Sequence, residues 1–112
     1  MTDATPITRM QLQPRAPRVD IDQLVNVTMF GGPAFILNLG IGGMAIQAGE
    51  VLQPGCIFSL TFSLPNTDCE VQSLGKVVWS DPSGRAGLKF VASPRLDRMR
   101  LQSWVHNSNR RN

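Results

Sequence analysis

Alternating apolar and polar side chains mark a series of strands through the middle of the chain. From residue 19 to 29 the odd positions are apolar and the even positions polar except at Gln23 and Leu24, a period of two that indicates a half-buried strand. The alternation is cleanest at residues 56–64, where one face is apolar and the other polar except at Ile57. Further apolar runs predict strands at residues 35–39, 44–46, 69–79 and 86–90.

Turn-forming residues separate these runs. Phe30–Pro33, Pro65–Asp68 and Asp81–Gly84 are rich in glycine, proline, asparagine and aspartate, which favour reversals of the chain. Within the 69–79 run the alternation changes phase near Ser73–Gly75, which predicts a β-bulge. Six short strands joined by turns predict a mainly β fold, either an antiparallel sandwich or a small barrel. A barrel has the advantage that no edge strand is left unpaired.

The pattern becomes helical after Ser93–Pro94. Serine is a good N-cap and proline a good first helical residue, so we expect a helix from Pro94 to about His106, with Trp104 packed on the end of the sheet or barrel. A length of 112 residues suits one domain. We therefore divide the chain into a flexible Arg-bearing arm (1–18), a barrel (19–92), a C-terminal helix (93–107) and a tail (108–112).

Positive charge is concentrated at the two ends of the chain. The formal net charge is only +3, and nine of the eleven cations are arginines. Arg9, Arg15 and Arg18 lie in the first eighteen residues with Asp3 as the single acid. The last eighteen residues hold five arginines and one acid. An anionic partner would therefore meet the ends first, although we interpret Arg110 and Arg111 as solvated tail residues.

Several classes of protein are disfavoured by what the sequence lacks. No apolar run approaches the ~20 residues of a membrane span, and the first residues contain no secretory signal, so we expect a cytoplasmic protein. Cys56 and Cys69 lack metal-ligand spacing and are interpreted as buried small apolar residues. With one histidine and scattered acids, we predict no catalytic residues, no enzyme, no metal and no cofactor.

A glycine-rich break lies between the second and third predicted strands. Asn38, Gly40, Gly42 and Gly43 interrupt the apolar runs of Phe35–Ala48. Glycine permits positive φ, and its bare Cα allows a close approach by another part of the chain or by a ligand. On these residues alone a structural bend is the simpler interpretation.

The order of these features resembles the PilZ domain, a bacterial module best known for binding the second messenger cyclic di-GMP. An arginine-bearing arm precedes the first strand, an Asn-x-x-x-x-Gly break follows the second, and a strand ending in Val77-Val78-Trp79 precedes a Gly-x-x-Phe strand. The resemblance covers roughly Pro14 to Phe90, and the following helix also fits. It implies a six-stranded antiparallel β-barrel with a C-terminal α-helix.

Two motifs of that family bind the ligand, and each is partly altered here. The [D/N]xSxxG motif corresponds to residues 38–43, where Asn38 and Gly43 match but Gly40 stands in place of serine. In the RxxxR motif Arg18 matches the second arginine, Pro14 occupies the first position and Arg15 lies beside it. The resemblance implies that cyclic di-GMP contacts the following residues, with Arg9 as an extra contact if the arm folds back: Arg15, Arg18, Asn38, Gly40 and Gly43.

The sequence thus predicts a small bacterial PilZ-like protein that binds cyclic di-GMP and relays it to an unidentified partner protein, in motility, biofilm or exopolysaccharide control. The altered motifs leave an alternative open, a degenerate PilZ domain that binds no nucleotide and acts through protein contacts. Nucleic-acid binding is disfavoured because the predicted strand faces carry no exposed aromatic platform. Trp79 and Trp104 are both predicted to be core residues.

Overall fold

A computed structural model of the protein describes residues 18–21, 26–29 and 32–110. The predicted arm, with Arg9 and Arg15, lies outside the described residues except for Arg18, and so do the last two residues of the predicted tail. The elements are seven strand segments and one helix: β1 (Arg18–Asp20), β2 (Asn26–Met29), β3 (Gly32–Gly40), β4 (Gly43–Ala48), β5 (Ile57–Ser63), β6 (Glu70–Ser80), β7 (Arg85–Ala92) and α1 (Arg95–Arg110).

The strands pair antiparallel in a closed ring. β3 pairs with β1 and β2 on one side and with β4 on the other. The remaining pairings are β2–β5, β5–β6, β6–β7 and β7–β4, which return the ring to β3. β1 and β2 together correspond to the single strand predicted at residues 19–29. The six-stranded antiparallel barrel with a C-terminal helix is therefore confirmed.

The barrel is filled by the apolar side chains that the alternating pattern placed on one face. Leu39, Met44, Ile46, Leu60 and Leu88 are fully buried in it. The rings of Phe62 and Phe90 stack at a centroid distance of 6.1 Å. Burying side chains of this size contributes about 1.5–3 kcal/mol each to folding, which makes the barrel interior the main source of stability.

Helix α1 adds to this core from outside the ring. Leu101 and Val105 are buried in the cluster, and the indole Nε1 of Trp104 donates a hydrogen bond of 3.1 Å to the carbonyl oxygen of Pro65. Trp104 is partly buried against the core, as predicted. The helix runs to Arg110, three residues beyond the predicted helical segment.

The start of the helix differs from the prediction by one residue. The amide of Arg98 donates to the carbonyl of Pro94 at 3.0 Å, so Pro94 holds the N-cap position and the helix begins at Arg95. The hydroxyl of Ser93, predicted to be the cap, instead donates to Ser73 Oγ at 2.7 Å.

The pairing of β6 with β7 is irregular at Leu74–Gly75, where a bulge was predicted, although the alternation within β6 does not change phase. Its inward positions alternate regularly, with Val71, Ser73 and Gly75 all buried. The pairing with β7 shifts between Leu74 and Gly75. The hydroxyl of Ser73, only 5% exposed, is satisfied by a 3.0 Å bond to the carbonyl of Ala92. The apparent change of phase therefore comes from a buried serine beside an exposed leucine.

The two cysteines are not the buried residues that the sequence suggested. Cys56 is exposed and Cys69 is half-buried, and both are free thiols. Cys56 lies in the loop before β5, immediately after the Pro54–Gly55 turn.

Candidate functional site

Arg18 and Asn38 are joined on the outside of the barrel. In the β1–β3 pairing Arg18 lies opposite Gly40 and Asp20 lies opposite Asn38. Side chains two residues apart on a strand share a face, so these positions all face outward, while the neighbouring Leu39 is buried. The guanidinium Nη1 of Arg18 donates a 2.9 Å hydrogen bond to Asn38 Oδ1. The structure thus brings together three of the predicted ligand residues.

The glycine break is a tight turn of two residues, Ile41 and Gly42, between β3 and β4. A Cβ atom on Gly43 would collide with the backbone carbonyl oxygen of Leu88. The carbonyl of Gly42 accepts a 2.8 Å bond from the amide of Phe90. The close approach expected at this glycine is therefore made by β7.

The glycines of the break do not use the positive φ that glycine permits. Among the described residues, positive φ occurs at Asn66, Gly55 and Gly84, all in other turns. The break therefore needs glycine for space at Gly43, while Gly42 has nothing within 4 Å of an added Cβ.

A lateral row of side chains crosses the outer face from Asn38 to Trp79. Asn38 pairs with Ala45, Ala45 with Gly87, and Gly87 with Trp79. Directly paired residues point to the same side of a sheet. Because Ala45 and Gly87 are small, the row forms a shallow shelf with the amide of Asn38 at one end and an indole at the other.

Trp79 is a surface residue, and its prediction as a core residue is wrong. Its side chain is 46% exposed. The indole lies directly over Gly87, where an added Cβ would overlap the ring. The register of β6 against β7 shifts between Val77 and Trp79, which moves the indole from the inner to the outer face. Sequence reasoning missed this residue because the bulge breaks the alternation.

A shallow groove begins beside the β3–β4 turn. It has a volume of about 320 Å³ and lies between the β3–β4 turn, the end of β7 and the first turns of α1. Ile41, Phe90 and Leu101 supply apolar walls, and Ser93, Asp97 and Arg98 supply polar groups.

The described residues contain neither a metal-ligand cluster nor a membrane-spanning helix. Residues 18–21, 26–29 and 32–110 contain no group of three or more histidine, cysteine or acidic side chains placed to hold a metal. In the same part of the chain, no helix is long and apolar enough to cross a bilayer.

The sequence profile of the PilZ domain matches residues 12–107, so the chain belongs to the PilZ domain family. PilZ is a family of non-enzymatic receptor domains for cyclic di-GMP. No curated protein sequence matches the chain at a significant level.

Solved structures that share the fold include the following three. The Bacillus subtilis inhibitor of motility MotI/DgrA is 19% identical with a TM-score of 0.74, and the similarity covers 90% of this chain and 54% of that protein. The Legionella protein Lpg0364 is 13% identical with a TM-score of 0.57, over 85% of this chain and 98% of that protein. Borreliella burgdorferi PlzA, solved in complex with c-di-GMP, is 17% identical with a TM-score of 0.56, over 91% of this chain and 45% of that protein. This chain thus spans about half the length of MotI/DgrA and PlzA.

Proposed function

We propose that this protein binds cyclic di-GMP on the outer face of its barrel and relays the signal to a partner protein. The observation that carries this proposal is the Arg18–Asn38 hydrogen bond at one end of a shelf whose other end is the exposed indole of Trp79. The family membership supports the choice of ligand, and PlzA, part of which has a similar fold, was solved in complex with c-di-GMP.

Each of these side chains suits one part of the ligand. A guanidinium forks onto a phosphate or onto the O6/N7 edge of guanine, and it also stacks on a base. The amide of Asn38 offers donors and an acceptor to a base edge. An exposed indole stacks on a purine, which is worth about 1–3 kcal/mol per base. The small residues Ala45 and Gly87 leave room for the ring system between the two ends.

The remaining predicted ligand residues complete the proposal. Arg15 and Arg9 belong to the arm, which we propose closes over the nucleotide and becomes ordered. Gly40 lies opposite Arg18 and next to the β3–β4 turn, and the backbone of Gly40 can lie against the ligand. Each charged hydrogen bond contributes roughly 1.5–3 kcal/mol. An arginine at position 14 and a serine at position 40 would therefore add about two to three powers of ten in affinity.

The relay to a partner follows from where the ligand would lie. Ordering the arm and covering the barrel with an anion changes the surface that another protein meets. The groove beside Ile41 shares the β3–β4 turn with the proposed site, so a ligand that fixes this turn also fixes one wall of the groove. The partner and any role in motility or biofilm control stay predictions of the family resemblance, and the cytoplasmic location stays a prediction from the sequence.

A degenerate, nucleotide-free PilZ domain is the second candidate, and one observation favours it. Gly43 is required by the packing of β4 against β7, and Asn38 already accepts a hydrogen bond from Arg18. Both residues therefore have a structural role that would retain them without any ligand. In this case the groove beside α1 would serve protein contacts directly.

Isothermal titration of cyclic di-GMP separates the two candidates. Wild-type protein would be compared with Arg15→Ala/Arg18→Ala, with GTP as the control ligand. We expect micromolar or tighter binding that the double variant abolishes. Binding that survives in the variant would keep the receptor and discard the arginine site, whereas no heat at high nucleotide excess would support the nucleotide-free domain.

A further inference from the structure

The only two lysines of the chain lie directly opposite each other. Lys76 on β6 pairs with Lys89 on β7, and both side chains are exposed. Directly opposite residues in an antiparallel pair have Cβ atoms about 4.5–5.5 Å apart, and like charges in such positions destabilise a sheet. An anion placed between the two ammonium groups would remove this repulsion.

No acid of the described chain neutralises the pair. Across residues 18–21, 26–29 and 32–110, the single ion pair found joins Arg100 to Asp97 on α1. The nearest positions on the same outer face, across the sheet and along the two strands, carry no negative charge: Gly43, Ile57, Leu74 and Gly87.

The lysines adjoin the proposed nucleotide site. Lys89 lies opposite Gly43, the last residue of the glycine motif. It also lies two residues from Gly87, and the indole of Trp79 lies over that glycine. Adjacent strands are ~4.8 Å apart, so β7 is about 10 Å from β3, which carries Asn38. A bound dinucleotide on the shelf would therefore have Arg18 beside its β3 end and Lys89 beside its β7 section.

We propose that Lys76 and Lys89 form a phosphate-binding pair within the cyclic di-GMP site, an inference that rests on the proposed function. Cyclic di-GMP carries two phosphodiesters, which suits an arrangement with arginine near the Asn38 end of the shelf and lysines near the Trp79 end. Lysine binds phosphate as a compact point charge that needs no fixed orientation.

The test compares two double variants that remove the same charge. Lys76→Gln/Lys89→Gln and Arg95→Gln/Arg100→Gln each remove two positive charges and lower the net charge from +3 to +1. Cyclic di-GMP is titrated into each protein and into wild type by calorimetry. We expect the lysine variant to bind about 10- to 100-fold more weakly, and the arginine variant to stay within about twofold of wild type because its changes lie on α1.

A melting curve without ligand guards against a folding defect. Because the variant removes a like-charge pair, the unliganded Lys76→Gln/Lys89→Gln protein should melt at the same temperature as wild type or higher. Unchanged affinity in this variant, or equal weakening in both variants, would overturn the lysine inference while leaving the proposed function intact. Failure of the wild-type protein to bind would overturn both.

Discussion

The guanidinium of Arg18 and the amide oxygen of Asn38 are 2.9 Å apart on the outer face of the barrel, although twenty residues separate them in sequence. The bond joins the end of the arm to the strand that leads into the glycine turn. It orients both side chains before any ligand arrives, which lowers the entropy cost of binding. Arg18 matches the RxxxR motif and Asn38 matches the [D/N]xSxxG motif, so the bond joins one matching residue from each altered motif.

Removing the amide of Asn38 should weaken binding more than it weakens the fold. We expect Asn38→Ala to reduce cyclic di-GMP affinity about tenfold, the loss of one good hydrogen bond to a charged ligand. Asn38→Asp keeps an acceptor for Arg18 and should retain binding to within about threefold. Titration calorimetry measures both. Equal affinity for Asn38→Ala and wild type would remove Asn38 from the site.

Gly43 and Gly42 make a matched pair for testing why the turn contains glycine. A methyl group at position 43 would collide with the carbonyl oxygen of Leu88, whereas one at position 42 meets nothing within 4 Å. We expect Gly43→Ala to lower the free energy of unfolding by about 1–3 kcal/mol and Gly42→Ala to change it by less than about 0.5 kcal/mol. Urea denaturation followed by circular dichroism compares them, and similar values for both would contradict the packing role of Gly43.

Helix α1 should stabilise the barrel mainly through its buried face. Leu101 is 3% exposed in the core cluster, whereas Leu96 on the same helix is 61% exposed. Replacing Leu101 with alanine is expected to cost about 2–5 kcal/mol, and the same change at Leu96 about 0.5 kcal/mol or less. If chemical denaturation gave the two variants the same stability, the packing of α1 against the barrel would be wrong.

The β6–β7 turn should contribute a stability that depends on pH. The hydroxyl of Ser83 donates to the Asp81 carboxylate and lowers its pKa from 3.8, helped by the amides of Arg85 and Ser83 and opposed by slight desolvation. A lowered folded pKa stabilises the fold above the unfolded value, about 3.9, and the gain is lost as the pH falls through the folded value.

Asp81→Asn tests this sign because asparagine keeps an oxygen acceptor but cannot ionise. The melting temperature of wild type should exceed that of Asp81→Asn at pH 6, and the difference should shrink as the pH is lowered to 3. A difference that stays constant over this range would show that the charge of Asp81 does not stabilise the turn.

The fold was largely predictable because its strands alternate with period two and its turns carry strong breakers. Val71 and Val77 are buried where the pattern placed them. The motif positions Asn38 and Gly43 could also be found, since their signal is local in sequence. The exception inside β6 was Ser73, whose burial depends on partners at Ala92 and Ser93 that no local pattern reveals.

The other half of the candidate site depends on cross-strand register, which the sequence does not encode locally. Trp79 follows Val77 by two residues and was therefore expected on the inner face, but the register shift between them turns the indole outward over Gly87. The pairing of Lys76 with Lys89 likewise exists only once β6 and β7 are aligned. A tryptophan two residues after a strand valine gives no sign of a bulge in the sequence. The outward position of Trp79 could therefore be found only from the structure.

In the proposed complex, cyclic di-GMP lies on the outer shelf between Asn38 and Trp79. The protein has two tryptophans. Trp104 lies on α1, and its indole N–H donates to the carbonyl of Pro65, so Trp104 serves as an internal control. We would record ¹H–¹⁵N correlation spectra of labelled protein during a titration with cyclic di-GMP. We expect the indole resonance of Trp79 to shift as the protein is saturated with ligand, while that of Trp104 stays in place. A saturating titration that leaves Trp79 unmoved, or shifts only Trp104, would contradict it.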